Sequence, residues 1–192
     1  RCPRPLIRHC QTEWSRDGRH TGATDIDLTP AGEESARALH KRLVPTSFDL
    51  VLVSPRIRAR RTAELAGFTD YEIADGLVEW DYGDYEGITS AEIRENHPDW
   101  TIWNGDPPGG ETAAEVRDRL TRFIDTVTQR AKDEGATRIA VFAHGHSLRA
   151  LTLCWLGLDF SLGDQFPLDT GAICELGAYK GDRALISWNL AH

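Results

Sequence analysis

The sequence predicts an α/β fold: a three-layer sandwich with a mostly parallel central sheet and helices on both of its faces. Short apolar runs that are typical of buried strands alternate along the chain with segments of helical periodicity, and this alternation favours parallel strands joined by helices. Two of the apolar runs, Leu6–Arg8 and Arg138–Ala143, are each followed directly by a histidine. Ligand sites in such folds lie at the carboxyl ends of the strands, so both histidines are expected at the functional edge of the sheet.

Short apolar runs are predicted to be strands, in the order Leu6–Arg8, Phe48–Val53, Tyr71–Ala74, Arg138–Ala143, Ala172–Leu176 and Ala184–Trp188. Runs that are apolar at nearly every position, such as the second and the fourth, suit strands that are covered on both faces. A polar loop over residues 10–28 separates the first strand from the first long helix.

Helices are predicted where a residue that can cap a helix N-terminus precedes an amphipathic segment. The longer ones run from Thr29-Pro30 to about Leu43, over 55–66, from Thr112 to Gly135 and over Ser147–Leu156. Thr112-x-x-Glu115 has the spacing of a capping box, in which each side chain accepts the other residue's backbone N–H. Thr89-x-x-Glu92 predicts a further helix start by the same rule.

The composition narrows the class of protein. The chain has 192 residues, 40% of them hydrophobic, with no internal repeat and no linker, which predicts one domain over residues 1–192. The formal net charge of −8 disfavours binding to nucleic acid or to an anionic membrane surface, although a local cluster of arginines can still attract an anionic substrate. No apolar run approaches the ~18 residues of a transmembrane helix.

The four cysteines show neither a Cys-x-x-Cys pair nor the spacing of a zinc site, so no metal cofactor is predicted. Cys154 and Cys174 lie in apolar stretches and are expected to be buried free thiols. Free thiols are typical of a reducing compartment, which predicts a cytoplasmic location.

The strongest chemical signal is the Arg8-His9 pair at the tip of the first strand. A histidine that accepts a phosphoryl group must be neutral at one ring nitrogen, while an acceptor holds the proton on the other nitrogen. A neighbouring guanidinium binds phosphate oxygens through its fork and disfavours protonation of the imidazole. An interior histidine beside a surface arginine is the alternative that this pair alone leaves open.

A second signal is His144-Gly145-His146-Ser147, after the fourth strand. Gly145 allows a tight turn from strand to helix, and Ser147 is expected to cap the following helix, whose N-terminus favours anions. His144 is placed to donate to an oxygen of a transferring phosphoryl group. A His-x-His metal site is the alternative, but no adjacent Asp or His completes one, so no metal is predicted.

Two further segments carry polar chemistry. The helix after the second strand holds four arginines, of which Arg58 and Arg61 share one face, and one arginine in its first turn is placed to reach a pocket at the strand ends. At least two of these four arginines are expected to be solvated on an exposed face of the helix. The segment Leu77–Gly87 mixes large rings with four carboxylates, Glu79, Asp81, Asp84 and Glu86. A carboxyl group packed against an aromatic ring has a raised pKa and can act as a general acid, but spacing alone does not choose among the four.

These segments resemble, in the same order and over nearly the whole chain, the motifs of the histidine phosphatase superfamily, also called the phosphoglycerate-mutase-like family. Its Arg-His-Gly motif appears as Arg8-His9-Cys10, its Ser-x-x-x-Arg-Ala motif as residues 54–59, its acid loop from Glu79 onward, and its second histidine as His144-Gly145. The resemblance implies that His9 is the nucleophile, that Glu79 is the proton donor, and that Arg8, Arg58 and His144 bind the phosphoryl group. It also implies a reaction that needs no cofactor and no metal.

Residues 20–25, 79–87, 102–105 and 142–149 are similar to the fungal sedoheptulose-bisphosphatase branch of the family and its bacterial acid-phosphatase relatives. The mutase branch is expected to have an arginine directly after the acid glutamate, where this chain has Trp80. It is also expected to have an arginine pair in the following insertion, where residues 100–103 of this chain contain no arginine. A mutase must hold a bisphosphate while it reorients, so the loss of these cations favours a phosphoric monoester hydrolase. A cofactor-dependent phosphoglycerate mutase and a phosphate-binding or regulatory protein with weakened catalysis are the alternatives.

The loop after the nucleophile and the acid loop are expected to bind the rest of the substrate. Their hydroxyl, imidazole, aromatic and glycine residues are Ser15, His20, Thr21, Gly22, Tyr82 and His146, with Arg16 as a cation. This mixture suits a small phosphorylated metabolite, above all a sugar phosphate or bisphosphate, because buried sugar hydroxyls need partners and a distal phosphate needs a cation. No nucleic-acid or membrane partner is expected, and a homodimer is allowed.

Three residues depart from the family pattern. Cys10 stands in place of glycine and would strain the backbone if that position needed a positive φ. Pro3 and Pro5 are expected to shorten the first strand, because proline cannot donate to a ladder. Cys10 also creates the spacing His9-Cys10-x₅-Arg16 of cysteine-dependent tyrosine phosphatases, but Glu13 in that loop would repel phosphate, and a lowered thiol pKa would be required.

Overall fold

The computed structural model describes residues 3–191, apart from the side chain of Thr46. The strands, numbered in chain order, are β1 Arg4–Arg8, β2 Leu50–Val53, β3 Glu72–Ile73, β4 Ile139–Ala143, β5 Ile173–Tyr179 and β6 Asp182–Leu190. The α-helices are α1 Glu13–Asp17, α2 Pro30–Ala38, α3 Ile57–Leu65, α4 Ser90–Arg94, α5 Ala113–Glu134 and α6 Gly145–Leu156. Short 3₁₀ turns include Asp75–Leu77 and Gly83–Tyr85.

The described strands form one sheet in the order β3-β2-β4-β1-β5-β6. The pairs β3–β2, β2–β4 and β4–β1 are parallel, whereas the pairs β1–β5 and β5–β6 are antiparallel. Alternating side chains fill two cores: Leu6, Leu52 and Val141 face α5 and α6, while Ile7 and Phe142 face α2 and α3. The predicted α/β fold with a mostly parallel sheet between two helical layers is confirmed. None of the helices between residues 3 and 191 is long and apolar enough to cross a membrane.

Several element boundaries differ from those predicted. The strand β1 begins at Arg4 and includes Pro5, so the expectation that the prolines shorten it was wrong. The parallel ladder with β4 nevertheless begins only at Leu6, paired with Val141, because Pro5 lies on the side of β1 that donates to β4 and has no N–H to give. The helix α2 is shorter than predicted, because a 3₁₀ turn at Leu39–Lys41 replaces its last turn.

The helix α6 begins two residues earlier than predicted, at Gly145, with His144 at the N-cap position. Ser147 does not cap it: its hydroxyl donates weakly to the His144 carbonyl. The N–H groups of His146 and Ser147 instead donate to the Glu79 carboxylate, at 3.0 and 2.8 Å. A side chain distant in the sequence therefore satisfies the N-terminus of this helix.

Candidate active site

Parallel pairing places the two predicted histidines side by side. Arg8 is in register with Ala143 at the ends of β1 and β4, and the His9 N–H donates to the Ala143 carbonyl at 2.9 Å. The rings of His9 and His144 follow these strand ends, with their centroids 5.4 Å apart. Both side chains are buried. They lie together at the carboxyl ends of the parallel strands, where the sequence predicts the site.

His9 is held in one tautomer. Its Nδ1 lies 2.7 Å from the backbone carbonyl oxygen of Cys10, and because a carbonyl only accepts, Nδ1 carries the proton and Nε2 keeps its lone pair. Burial, followed by the charges of Arg58 and Arg8, lowers the pKa of His9 well below its usual value. The imidazole is therefore neutral, with a nucleophilic nitrogen, at neutral pH.

The two predicted arginines supply positive charge next to this ring. Arg8 donates from Nη1 to the Leu168 carbonyl, while its buried Nε has no hydrogen-bond partner within residues 3–191. Gly145 lets this guanidinium pack closely against the start of α6, because an added Cβ would lie 3.1 Å from the Arg8 guanidinium carbon. Arg58 is fully buried and donates to the carbonyls of residues 21, 22 and 24, at 2.8 to 3.0 Å. It thus ties the loop after the first strand to α3.

His144 lies behind the cleft rather than in its lining. Its Nε2 is 2.7 Å from the Ser54 hydroxyl, and its buried Nδ1 has no partner among the described residues. Burial, with Arg58 and then His9, lowers the pKa of His144 well below its usual value. Ser54, at the end of β2, is therefore what orients this imidazole.

Among the four carboxylates of the acid loop, only Glu79 lines the cleft with His9. It is 7% exposed, and its Oε1 accepts the N–H groups of Trp80 and Ser147, both at 2.8 Å, while Oε2 accepts that of His146. Burial raises the pKa of the Glu79 carboxyl, and these N–H donors with Arg58 oppose the rise. Glu86 instead accepts the N–H groups of Gly22 and Thr24.

The cleft has a volume of about 180 Å³ and is lined mainly by polar side chains. The predicted residues in its wall are Arg8, His9, Ser15, His20, Thr21, Glu79, Tyr82 and His146, and the unpredicted ones are Gly18, Arg19, Ser90, Gly145 and Arg149. Arg149 has a usable sequence signal, since it lies one helical turn after His146 on α6. Gly18 and Arg19, which follow α1, and Ser90, the first residue of α4, have none.

Two residues expected to contact substrate lie elsewhere. Gly22 is outside the cleft lining: Glu86 accepts from its N–H, Arg58 donates to its carbonyl, and an added Cβ would approach Glu86 to 2.8 Å. Arg16 is exposed and pairs with Asp17 at 3.2 Å. Besides Arg8, the cations in the cleft wall are therefore Arg19 and Arg149, and Arg16 is not among them.

One wall of the cleft is a hydrogen-bonded group of rings. Burial raises the pKa of Tyr82 well above its usual value and lowers that of His146 well below its own, so both side chains are neutral, and the Tyr82 hydroxyl shares a hydrogen bond with Nδ1 of His146. His20 stacks on His146, with centroids 6.1 Å apart, and its Nδ1 donates to the Ile88 carbonyl at 2.7 Å. Both histidines line the cleft, and no hydrogen bond within residues 3–191 uses their Nε2 atoms, so these remain for a ligand.

Cys10 does not behave as a nucleophile. Burial raises the pKa of its thiol to about 11, whereas a cysteine-dependent phosphatase needs a lowered pKa. Within residues 3–191, Lys180 and Asn189 are the non-glycine residues with positive φ, so Cys10 carries no such strain. The described part of the chain also holds no group of three His, Cys, Asp or Glu side chains that would suit a metal ion.

Comparison with known proteins identifies the family. The family model of the histidine phosphatase superfamily (branch 1) matches residues 5–191, and the chain belongs to this superfamily. An acid phosphatase of Mycobacterium tuberculosis is 40% identical over 183 residues, which span 94% of this chain and 88% of that protein. Sedoheptulose 1,7-bisphosphatase of Saccharomyces cerevisiae is 38% identical over 181 residues, which span 80% of this chain and 67% of the yeast protein.

A solved structure is also similar over the full fold. It is the product of an open reading frame of Mycobacterium tuberculosis, with a TM-score of 0.89, 38% identity, and coverage of 98% of this chain and 97% of that chain. These similarities confirm the predicted superfamily, fold class and enzyme class. The predictions of one domain over residues 1–192 and of a homodimer stay predictions, and residues 1, 2 and 192 lie outside the described chain.

Proposed function

We propose that this protein hydrolyses phosphomonoesters of small metabolites through a phosphohistidine formed on His9. The observation that carries the proposal is the tautomer of His9: a neutral ring with a free Nε2, in a residue that lines the cleft with Arg8 and the buried Glu79 and that also feels the charge of Arg58. Nucleophilic catalysis by histidine requires this arrangement. Arg8 and Arg58 supply positive charge for the phosphoryl oxygens, and the Nε atoms of both arginines and Nδ1 of the neutral His144, which have no partner within residues 3–191, are the donors proposed to bind them.

In the first step, Nε2 of His9 attacks phosphorus while the bond from phosphorus to the ester oxygen breaks. Protonated Glu79 donates its proton to that leaving oxygen, so the product departs as an alcohol. In the second step, the Glu79 carboxylate takes a proton from a water that attacks phosphorus, the N–P bond breaks, and inorganic phosphate leaves. The proton on Glu79 sits best on Oε2, which accepts one backbone N–H, whereas Oε1 accepts two.

Two alternatives receive less support. A mutase needs cations that retain a bisphosphate, but the Trp80 ring is fully buried and donates its indole N–H to the Glu111 carbonyl. Trp100 and Trp103 are also buried and add no charge. A weakened phosphate-binding protein would be expected to lack part of the machinery, whereas His9, Glu79 and the two arginines all have buried, specific positions.

The rate is expected to have an acidic optimum. Hydrolysis needs protonated Glu79 and neutral His9; burial raises the pKa of Glu79, while burial and nearby arginines lower that of His9. The rate therefore rises as falling pH protonates Glu79, and it declines only when His9 also gains a proton. Measurement of kcat/KM for a sugar phosphate from about pH 4 to about pH 8 tests this, and a flat profile over the range would contradict it.

The preferred substrate class is proposed to be sugar phosphates or bisphosphates. The cleft wall offers hydroxyls and ring nitrogens, and Arg149 places a guanidinium on it whose buried Nε has no partner within residues 3–191. Such a group suits a second phosphate or a carboxylate on the substrate. The volume of about 180 Å³ favours a small molecule over a phosphopeptide, and no nucleic-acid or membrane partner is proposed.

Replacement of Arg149 is expected to weaken binding of the second anionic group alone. In Arg149→Ala, KM for a sugar bisphosphate should rise by roughly 10-fold to 100-fold, the equivalent of a lost charged hydrogen bond. The KM for p-nitrophenyl phosphate, which has no second anion, should change by less than about 3-fold. Because Arg149 also lies over the Trp103 ring, a melting curve is the control for folding, and equal rises in both KM values would contradict this assignment.

We also propose a cytoplasmic location. The cysteines within residues 3–191 are free, with Cys10 and Cys174 buried, and unpaired thiols suit a reducing compartment. Burial raises the pKa of the Cys174 thiol to about 11, so that thiol stays unreactive. Fractionation of cells that produce the protein, followed by immunodetection, tests this location.

A further inference from the structure

The segment that carries Glu79 is supported from behind by one ion pair. This segment, residues 78–82, connects the 3₁₀ turns Asp75–Leu77 and Gly83–Tyr85 and belongs to no helix or strand. The Glu79 side chain is bound to the N-terminus of α6, but the backbone on either side also needs hydrogen-bond partners. Arg119 of α5 and Glu111, which lies shortly before α5, provide them.

Arg119 supports the backbone ahead of and beside Glu79. Its Nη1 donates to the carbonyl oxygens of Gly76 and Val78, each at 2.9 Å. Its other two nitrogens bind Glu111: Nε to Oε2 at 2.9 Å and Nη2 to Oε1 at 2.8 Å. All three nitrogens of the guanidinium are therefore used, in the planar fork that lysine cannot reproduce.

Glu111 supports the backbone that follows Glu79. Its Oε1 accepts the Asp81 N–H, its own N–H donates to the Asp81 carbonyl, and its carbonyl accepts the indole N–H of Trp80, each at 2.9 Å. The pair thus holds both sides of Glu79 without contacting it. The two side chains are only 18% and 21% exposed, so solvent screens their interaction less than that of a surface pair.

We propose that the Arg119–Glu111 pair is a positioning device for the catalytic acid: it fixes the backbone around Glu79 so that the carboxyl group meets the leaving-group oxygen. This inference rests on the proposed function, in which Glu79 donates that proton. Proton transfer needs a heavy-atom separation of about 2.6–3.2 Å, and a displacement of ~1 Å can cost ~100-fold in rate. A loop without regular structure reaches such accuracy only if its backbone is held.

The test compares Arg119→Lys with a matched control, Arg130→Lys. Arg130 lies on the same helix and forms a two-point ion pair with Glu72, but it does not contact the acid loop. In Arg119→Lys, kcat/KM for a sugar phosphate, which reports formation of the phosphoenzyme, should fall by ~10-fold or more, while kcat/KM for p-nitrophenyl phosphate, whose leaving group needs no proton, should stay within ~2-fold. In Arg130→Lys, both rates should stay within ~2-fold of the unaltered chain.

A double variant separates positioning from a general structural effect. If Arg119 acts through Glu79, Arg119→Lys should cause no further loss on sugar phosphate once Glu79→Gln is present, so the effects should not add. If Arg119→Lys does not fold, Glu111→Gln replaces it in both comparisons, because its remaining oxygen still accepts the Asp81 N–H.

Equal losses on the two substrates, no loss on either, or additive losses in the double variant would overturn the positioning proposal. Absence of phosphatase activity in the unaltered chain would overturn the proposed function instead, so the two failures are distinguishable.

Discussion

Replacement of His9 by alanine is expected to abolish turnover. The loss in kcat should be roughly 10⁴-fold or more for every phosphomonoester, as is usual when an enzyme loses its nucleophile. The reason is the tautomer: Nδ1 is bound to the Cys10 carbonyl, so Nε2 is the nitrogen of this cleft residue that is left free as an uncharged nucleophile. The measurement is single-substrate kinetics with p-nitrophenyl phosphate and with a sugar phosphate.

His97→Ala is the matched control for this change, because His97 is exposed and absent from the cleft. It should leave both rates unaltered. Turnover that survives in His9→Ala would contradict the assignment of the nucleophile, as would turnover that returns only when a divalent metal is added.

Replacement of Glu79 by glutamine is expected to have a large effect that depends on the leaving group. Loss of a general acid costs typically ~10²-fold to 10⁴-fold, and it should appear on sugar phosphates, whose alkoxide is a poor leaving group. The value of kcat/KM for p-nitrophenyl phosphate, which reports formation of the phosphoenzyme and not its hydrolysis, should fall by less than about 10-fold, because nitrophenolate leaves without a proton. The acidic optimum for sugar phosphates should also disappear.

The glutamine variant has a structural cost that needs a separate measurement. Glu79 accepts three backbone N–H groups, and the amide nitrogen of glutamine cannot accept one of them, so the start of α6 loses a partner. A melting curve quantifies this loss of stability. Equal rate losses on both substrates would move the acid elsewhere, although Glu86 is bound to the Gly22 and Thr24 N–H groups and Asp81 is exposed.

The position of the site was predictable from the sequence. His9 and His144 follow apolar runs directly, and parallel strands end at one edge of a sheet, so their proximity follows from the fold class alone. The Arg-rich helix and the acid loop gave candidates, but the choice of Arg58 and Glu79 among them depended on the family resemblance. The periodicity of a sequence indicates which face of a helix or strand a residue occupies, but not which distant segment packs against that face.

The remaining features depend on contacts between distant segments. Glu79 caps a helix that begins 66 positions later, and this contact replaced the local cap expected from Ser147. Gly22 was expected to touch substrate, but Glu86 and Arg58 occupy its backbone groups. Arg149 reaches the cleft because it lies about one helical turn after His146 on α6. The predicted helix began two residues too late, at Ser147, and so left His146 outside the helix.

The central claim, a phosphohistidine on His9, is tested most directly by trapping the phosphoenzyme. The protein is mixed with a ³²P-labelled phosphomonoester, quenched with alkali or with acid, and digested for mass spectrometry of the peptide that contains His9. The label is expected on His9, stable to alkali and lost in acid, and absent from His9→Ala. Label on Cys10, label that survives acid, or turnover with no label in the unaltered chain would contradict the account.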